Sequence, residues 1–235
     1  MNFSFLQAIP DILFPKSCYG CRTPDTYLCD SCARQCILKE PRCPHCAHRI
    51  PFGNLLPHCK RQIHLSRLFL AMDYNNDVVQ HLIHDFKYKH CFALAEPLTT
   101  PAIQWLKTQH ALHSSNKNNT VIVPVPGHPR RTRKRGFHPA FKIAEIASME
   151  LDIPITQNVL VKIKNTKQQA KTEQRKERYA NVKNVFKAQN ISPIRKKTIL
   201  LIDDVYTTGA TMAECSRVLK NAGVKDVIGL AIAKD

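Results

Sequence analysis

Up to about residue 65 the chain consists of short turns, prolines and cysteines with no sustained hydrophobic period, and beyond it apolar runs alternate with amphipathic ones. Residues 68–72 (Leu-Phe-Leu-Ala-Met) predict a strand, and Val78, Val79, Leu82, Ile83 and Phe86 then recur at helical spacing. A further helix is expected over 93–107. Residues 114–119 are polar with nothing to bury, hence a loop. The run 120–125 (Thr-Val-Ile-Val-Pro-Val) is short and almost continuously apolar, the mark of a strand covered on both faces. A helix over 139–151 turns Phe141, Ile143, Ala144 and Ala147 inward. Residues 158–163 and 181–186 predict two more strands, separated by a highly polar stretch. The strongest strand signal is 198–202 (Thr-Ile-Leu-Leu-Ile), followed by a helix over 211–221. Gly223 stands where a left-handed cap belongs, and 227–233 predict a last strand. Strand–helix alternation implies an α/β fold, a parallel sheet flanked by helices on both faces.

The break near 65 suggests a small cysteine-rich module over 1–65 and an α/β domain over 66–235, which 235 residues can accommodate. Apolar residues at 43% against 23% charged ones mark a folded chain rather than a disordered one. No apolar stretch has the length of a membrane span. Residues 1–15 include Phe3, Phe5, Leu6, Ile9, Ile12, Leu13 and Phe14 without a basic leader or a small-residue cleavage site, so a packed or self-associating helix is expected there rather than a signal peptide. Lys and Arg number 35 against 18 Asp and Glu, a formal charge of +17 that attracts polyanions.

One turn concentrates the chemistry. The apolar strand at 198–202 delivers Asp203 and Asp204 to the carboxyl edge of the sheet, where open α/β proteins place their ligands. Two adjacent carboxylates suit a diol, accepting hydrogen bonds from neighbouring ribose hydroxyls. Thr207, Thr208 and Thr211 follow around Gly209 at the start of a helix, where backbone N–H groups and the helix dipole favour an anion. Gly209 lets the backbone wrap a phosphate with no Cβ in the way. Diol acceptors and phosphate donors one turn apart match a ribose 5-phosphate; singly, each residue would also fit a plain strand–turn–helix with an N-cap threonine.

Two basic segments accompany it. Residues 130–135 (Arg-Arg-Thr-Arg-Lys-Arg) follow a Pro126-Gly127 turn and read as a loop that could hold a pyrophosphate, or polyanions generally. Residues 162–178 hold seven basic residues against two acidic ones, with Ala170 the one apolar residue after Ile163. Such a stretch reads as a flexible hood over a bound ligand, a track for a phosphate backbone, or a solvated surface. The adjoining Tyr179 is its single aromatic, too few for a base-stacking platform.

Eight of the ten cysteines fall in the first 60 residues, which in a reducing, cytoplasmic setting points to metal rather than disulfides. Cys18-x2-Cys21, Cys29-x2-Cys32 and Cys43-x2-Cys46 are knuckles that each present two thiolates from one tight turn. The first two make one closed tetrahedral set. The third needs two more ligands: Cys59 is one, and His64, His58 and Cys36 compete for the other, with His64 favoured because Cys59-x4-His64 spaces the pair around a turn. About two structural Zn2+ ions are expected, replacing a hydrophobic core that roughly 45 residues could hardly build. Thiolates on two zinc ions would leave a charge of roughly +13 to +14, still strongly basic. Cys91 and Cys215 read as plain core residues.

The run 199–211 resembles the signature by which type I phosphoribosyltransferases bind 5-phosphoribosyl 1-pyrophosphate (PRPP). With the cysteine-rich beginning, it makes the chain similar to the ComF family, which joins a double zinc ribbon to a phosphoribosyltransferase fold. The resemblance includes Val123-Pro124-Val125-Pro126, Arg130, Arg131, Arg135-Gly136-Phe137, Thr166, Gln169, Arg178, Asn181-Val182 and Phe186. His138 and Pro139 stand where the family has Asn-Gln, Thr172 replaces a leucine, and Gln62 takes the place of a cysteine. The resemblance implies PRPP binding with Mg2+, with Asp203 and Asp204 on the ribose, Thr207, Thr208, Gly209 and Thr211 about the 5-phosphate, and Arg131 and Arg135 toward the pyrophosphate. It also implies a role in natural transformation, handling incoming single-stranded DNA in the cytoplasm beside other competence or recombination proteins. Two other readings compete: a transferase displacing pyrophosphate with a nitrogen nucleophile, and a PRPP-sensing regulator without turnover. No residue stands out as a general base.

Overall fold

The structure, a computed structural model, describes residues 16–89, 91–110, 118–164 and 175–235, the side chains of 175–178 excepted. The apolar run at 1–15, most of the expected loop at 114–119, and residues 165–174 of the second basic segment, with Thr166, Gln169 and Thr172, lie outside the described residues. The described chain runs α1 (Asp30–Cys36), α2 (Pro57–Ile63), β1 (Arg67–Asp73), α3 (Asp77–Tyr88), α4 (Ala95–Thr108), β2 (Thr120–Pro124), α5 (Pro129–Arg135), α6 (Pro139–Leu151), β3 (Leu160–Lys162), α7 (Arg175–Val182), β4 (Phe186–Ala188), β5 (Thr198–Tyr206), α8 (Ala210–Asn221) and β6 (Asp226–Lys234).

Four strands pair in parallel in the order β1-β6-β5-β2. Side chains alternate across a strand, so each buried strand serves two cores. Along β5, Ile199 and Leu201 join Leu68, Val121 and Leu219 of one cluster, whereas Leu200 and Ile202 join Phe69, Ile103 and Ile143 of the other. Both faces are covered, which is why the run reads as continuously apolar. Each such side chain contributes about 1.5–3 kcal/mol by burial, anchoring the strand whose end carries the site.

The residues before 65 join both cores. Leu28, Ala33 and Cys36 enter the cluster of α3, α4 and α6, while Ile50, Leu55, Cys59 and Ile63 enter that of α8. Their backbone also pairs with β1: Ile37 bridges Met72, the Leu38 N–H donates to the Ala71 carbonyl at 2.8 Å, and Asn54 bridges Arg67. At the other edge Ile155 bridges Ile122 of β2. Both sheet edges are therefore covered, protecting ladder groups that would otherwise recruit another chain.

Two expectations are corrected. The strand expected over 181–186 is instead the end of α7, a turn, and then β4, which pairs antiparallel with β3. The reversal falls at Asn184, whose left-handed φ of 57° an asparagine tolerates and whose N–H donates to the Glu214 carboxylate at 2.8 Å. The arginine run at 130–135 is helix α5 rather than a loop. Pro129 opens it at N1, the His128 ring accepts from the Arg130 N–H at 3.2 Å, and Gly136 closes it at φ 77°.

Candidate phosphate and metal sites

The crevice exists because β5 outruns β2. Their last pair is Pro124 with Ile202, after which Val125, Pro126 and Gly127 lead the chain away, while β6 stays paired with β5 as far as Tyr206. From Asp203 onward β5 has a neighbour on one side only, and both acids are half-buried there. Lys87 Nζ, from the last turn of α3, lies 2.8 Å from Asp204 Oδ1, both side chains being 17% exposed. The Asp204 N–H donates to Asp203 Oδ1 at 2.9 Å. Burial, and then the Asp204 charge, push the Asp203 carboxyl up to about 8, against the opposing pull of Lys87 and Lys162. Lys162 comes from β3, and burial together with the Arg131 charge holds it below the usual lysine range. The crevice thus pairs two carboxylates with cations from three other elements.

A carboxyl held high resists ionisation in the folded state. Its contribution to stability is intact below the ordinary range near 3.8 and drains away as pH rises toward about 8. Asp203→Asn cannot ionise, so between about pH 5 and pH 8 its melting temperature should rise relative to that of the unaltered chain. Calorimetric melts of both proteins across that window decide it; parallel curves would mean that Asp203 ionises normally.

Beyond β5, Thr207 is exposed, Thr208 half-buried, and Gly209 takes φ 79° as the N-cap of α8. A Cβ at Gly209 would overlap the ring and hydroxyl of Tyr206, so glycine is required by both conformation and space. The N-cap Gly209 has no side chain to cap α8; Thr208 Oγ1 accepts from the Ala210 N–H at a long 3.5 Å, and the next amide, that of Thr211, is left to an incoming anion. Arg131 and Arg135 lie one turn apart on α5, whose residues are all outside the core. Arg135 sits 5.3 Å above the ring centre of Tyr88, beside Lys87, and the Arg131 charge is felt at Lys162. His138 caps α6 through its ring, which accepts from the Phe141 N–H at 3.1 Å, so it can do the capping work of the family's asparagine.

The cysteines gather in two groups that could hold metal ions: Cys18, Cys21, Cys29 and Cys32 in one, Cys43, Cys46 and Cys59 in the other, with all sulfurs of a group within 4.8 Å. The Cys21–Cys29, Cys43–Cys59 and Cys46–Cys59 sulfurs are 3.6, 3.7 and 3.5 Å apart. A tetrahedral zinc with bonds of about 2.3 Å sets its sulfurs about 3.8 Å apart, so the donors fit that ion. The knuckle turn is built twice alike. The N–H of Arg22 donates to the Cys18 carbonyl and that of Ala47 to the Cys43 carbonyl, both donor residues being left-handed, at φ 66° and 58°. Burial alone would raise the Cys18 thiol, but the backbone N–H groups of Cys21, Cys29 and Gly20 pull it down to about 6.

His64 does not join the second group. It closes α2 as a left-handed cap at φ 58°, and its carbonyl accepts from Ser216 Oγ at 2.6 Å. The two alternatives stand apart as well: His58 is exposed, and the buried Cys36 lies 3.9 Å from Asn76 Oδ1. Sequence reasoning missed Lys87 and Tyr206. The one signal for Lys87 was a lone cation at the end of an amphipathic helix.

This arrangement of parallel sheet, acid pair and glycine turn has the character of a phosphoribosyltransferase fold, and residues 107–235 match the family described as the phosphoribosyl transferase domain. The chain is 30% identical over 207 residues to Competence protein F of Haemophilus influenzae, covering 85% of this chain and 87% of that protein. DNA utilization protein YhgH of Escherichia coli is 26% identical over 91% of this chain and 94% of its own length. Competence protein ComFC of Streptococcus pneumoniae is 26% identical, over 94% of each. The chain belongs to the ComF family of competence-associated, phosphoribosyltransferase-fold proteins. No helix among the described residues is long and apolar enough to cross a membrane.

Proposed function

We propose that the chain binds PRPP with Mg2+ in the β5–α8 crevice and uses that site in natural transformation, on incoming single-stranded DNA. The observation that carries the ligand is the juxtaposition on one strand end of Asp203 and Asp204 with the glycine-capped start of α8. Asp203 and Asp204 accept from the ribose hydroxyls. The turn from Thr207 to Thr211 donates to the 5-phosphate, and Arg131, Lys162 and Arg135 offset the charge of the pyrophosphate. Mg2+ bound with the ligand would supply further charge neutralisation. Each cysteine group holds one structural Zn2+. The names of the relatives, which refer to competence and DNA utilization, support the second half of the proposal, and so does the formal charge of +17. Titration calorimetry with PRPP and Mg2+ tests the ligand. Release of pyrophosphate on adding nucleobases, amines or DNA would instead favour the transferase reading, which the family match also allows.

Binding of single-stranded DNA should be weak, indifferent to sequence and steeply salt-dependent, because the basic segments can neutralise phosphates but offer few aromatics for bases. Log affinity should fall by roughly 0.7 per neutralised phosphate for each log unit of salt, and replacing Lys171, Arg175 and Lys176 should flatten the slope by about two. Fluorescence anisotropy at several salt concentrations, with and without PRPP, measures both. Salt-insensitive affinity would defeat the electrostatic reading, and reciprocal effects of PRPP and DNA would show that one segment serves both.

A further inference from the structure

His45 lies between two cysteines of the second metal group, yet its ring reaches the other end of the chain. Its Nε2 is 3.1 Å from the hydroxyl of Tyr206 and 3.4 Å from that of Tyr179. The Tyr179 ring meets the imidazole edge-on, with centroids 6.3 Å apart, and its hydroxyl donates to the Thr208 carbonyl at 3.4 Å. Tyr206, 2% exposed, is the last residue of β5 and the surface on which the Gly209 backbone rests. One imidazole therefore touches the residue entering the phosphate turn and a residue hydrogen-bonded within it.

We propose that His45 is a positioning residue for this turn, fixing Tyr206 and Tyr179 so that the amides about Gly209 keep the geometry a 5-phosphate needs. The proposal rests on the PRPP reading above. A side chain between Cys43 and Cys46 is well placed for the task. A metal on the flanking sulfurs immobilises its backbone from both sides, so the imidazole becomes a rigid strut between the metal module and the crevice. The phosphate turn is then ordered partly from outside the domain that carries it. The Tyr206 ring and hydroxyl occupy the space a Cβ at Gly209 would need, so a displaced Tyr206 changes the packing against which that backbone is held.

The test uses the full chain. His45→Ala should weaken PRPP binding about tenfold, the size of one well-placed hydrogen bond lost. His45→Gln, whose terminal amide reaches the place of Nε2, should recover most of that loss. Tyr206→Phe should match His45→Ala, and the double variant should be no worse than either, since all three break one contact. Zinc content per chain should not change. Fluorine spectra of protein carrying 3-fluorotyrosine, with the Tyr206 signal identified by its loss in Tyr206→Phe, should show that signal displaced in His45→Ala without any ligand. An undisplaced signal, or unaltered affinity in a chain that binds PRPP, overturns the proposal. So does loss of zinc in His45→Ala, which would make His45 a ligand instead of a strut. Should the unaltered chain not bind PRPP at all, the reading of the crevice fails separately, and the fluorine signal still decides whether His45 orders Tyr206.

Discussion

Replacing Asp203 and Asp204 together by asparagine should weaken PRPP binding at least about 100-fold while leaving the fold intact. A hydrogen bond to a charged acceptor is worth about 1.5–3 kcal/mol, and in the proposed pose the pair accepts from the ribose diol, Asp203 as a full carboxylate only as pH approaches about 8. Asparagine keeps the shape and one acceptor oxygen per residue but removes the charge. The fold should survive because the apolar residues that hold β5, Ile199 to Ile202, precede the acids and are fully buried. The variant also frees Lys87 from Asp204, which adds a cation to the crevice proposed to take a polyanion and so works against the expected loss. A loss that persists despite that gain is the stronger evidence for the diol. Calorimetry at several pH values checks it, and affinity within a few-fold of the unaltered chain would remove the PRPP assignment.

Chelation should have an effect as large, and of a different kind. Structural zinc contributes on the order of 10–16 kcal/mol to the modules it folds, comparable to the entire stability of an ordinary domain. The residues before 65 put Ile50, Leu55 and Ile63 into the same cluster as Ile199 and Leu201, and they cover the outer edge of β1. Losing the metal should therefore release about two zinc ions, depress the melting temperature of the whole chain, and lead to aggregation through the uncovered strand. Metal analysis, melts and light scattering, before and after a strong chelator, measure the three together. One ion per chain would mean that the three-cysteine group stays empty. A chelated chain that remains monomeric with its melting temperature unchanged would show that the metal groups carry no part of the fold.

The strands of the sheet were legible because burial on both faces leaves few polar positions, and 120–125, 198–202 and 227–233 all fall on observed strands or within a residue of one. The strand–turn–helix that carries the proposed site was legible because acids, hydroxyls and glycine sit within thirteen residues. Less visible were features made by residues far apart in sequence. Lys87 meets Asp204 across 117 positions, and His45 meets Tyr206 across 161, with no local pattern to announce either. Local rules also misled. The proline and glycine around 129–136 marked helix ends, but the density of arginine made the segment read as a loop. Residues 181–186, with Val182, Val185 and Phe186, read as one strand, but Asn184 reverses the chain between them. Spacing alone favoured His64 as a ligand, and a left-handed helix cap has no signature that distinguishes it from a metal turn.

The strand order has a consequence for how the protein is made. β6, the last strand in sequence, lies between β1 and β5, so the pairing of Arg67 with Ile228 waits until synthesis has advanced some 161 residues. Until then β1 has no partner on its inner side, and the sheet cannot close. The cysteine knuckles need no such delay, because their sulfurs all come from the first 59 residues. A metal held as proposed could therefore be captured before the sheet forms, shielding the flank of β1 through most of its synthesis, and loss of metal supply would then be met first as a problem of biogenesis.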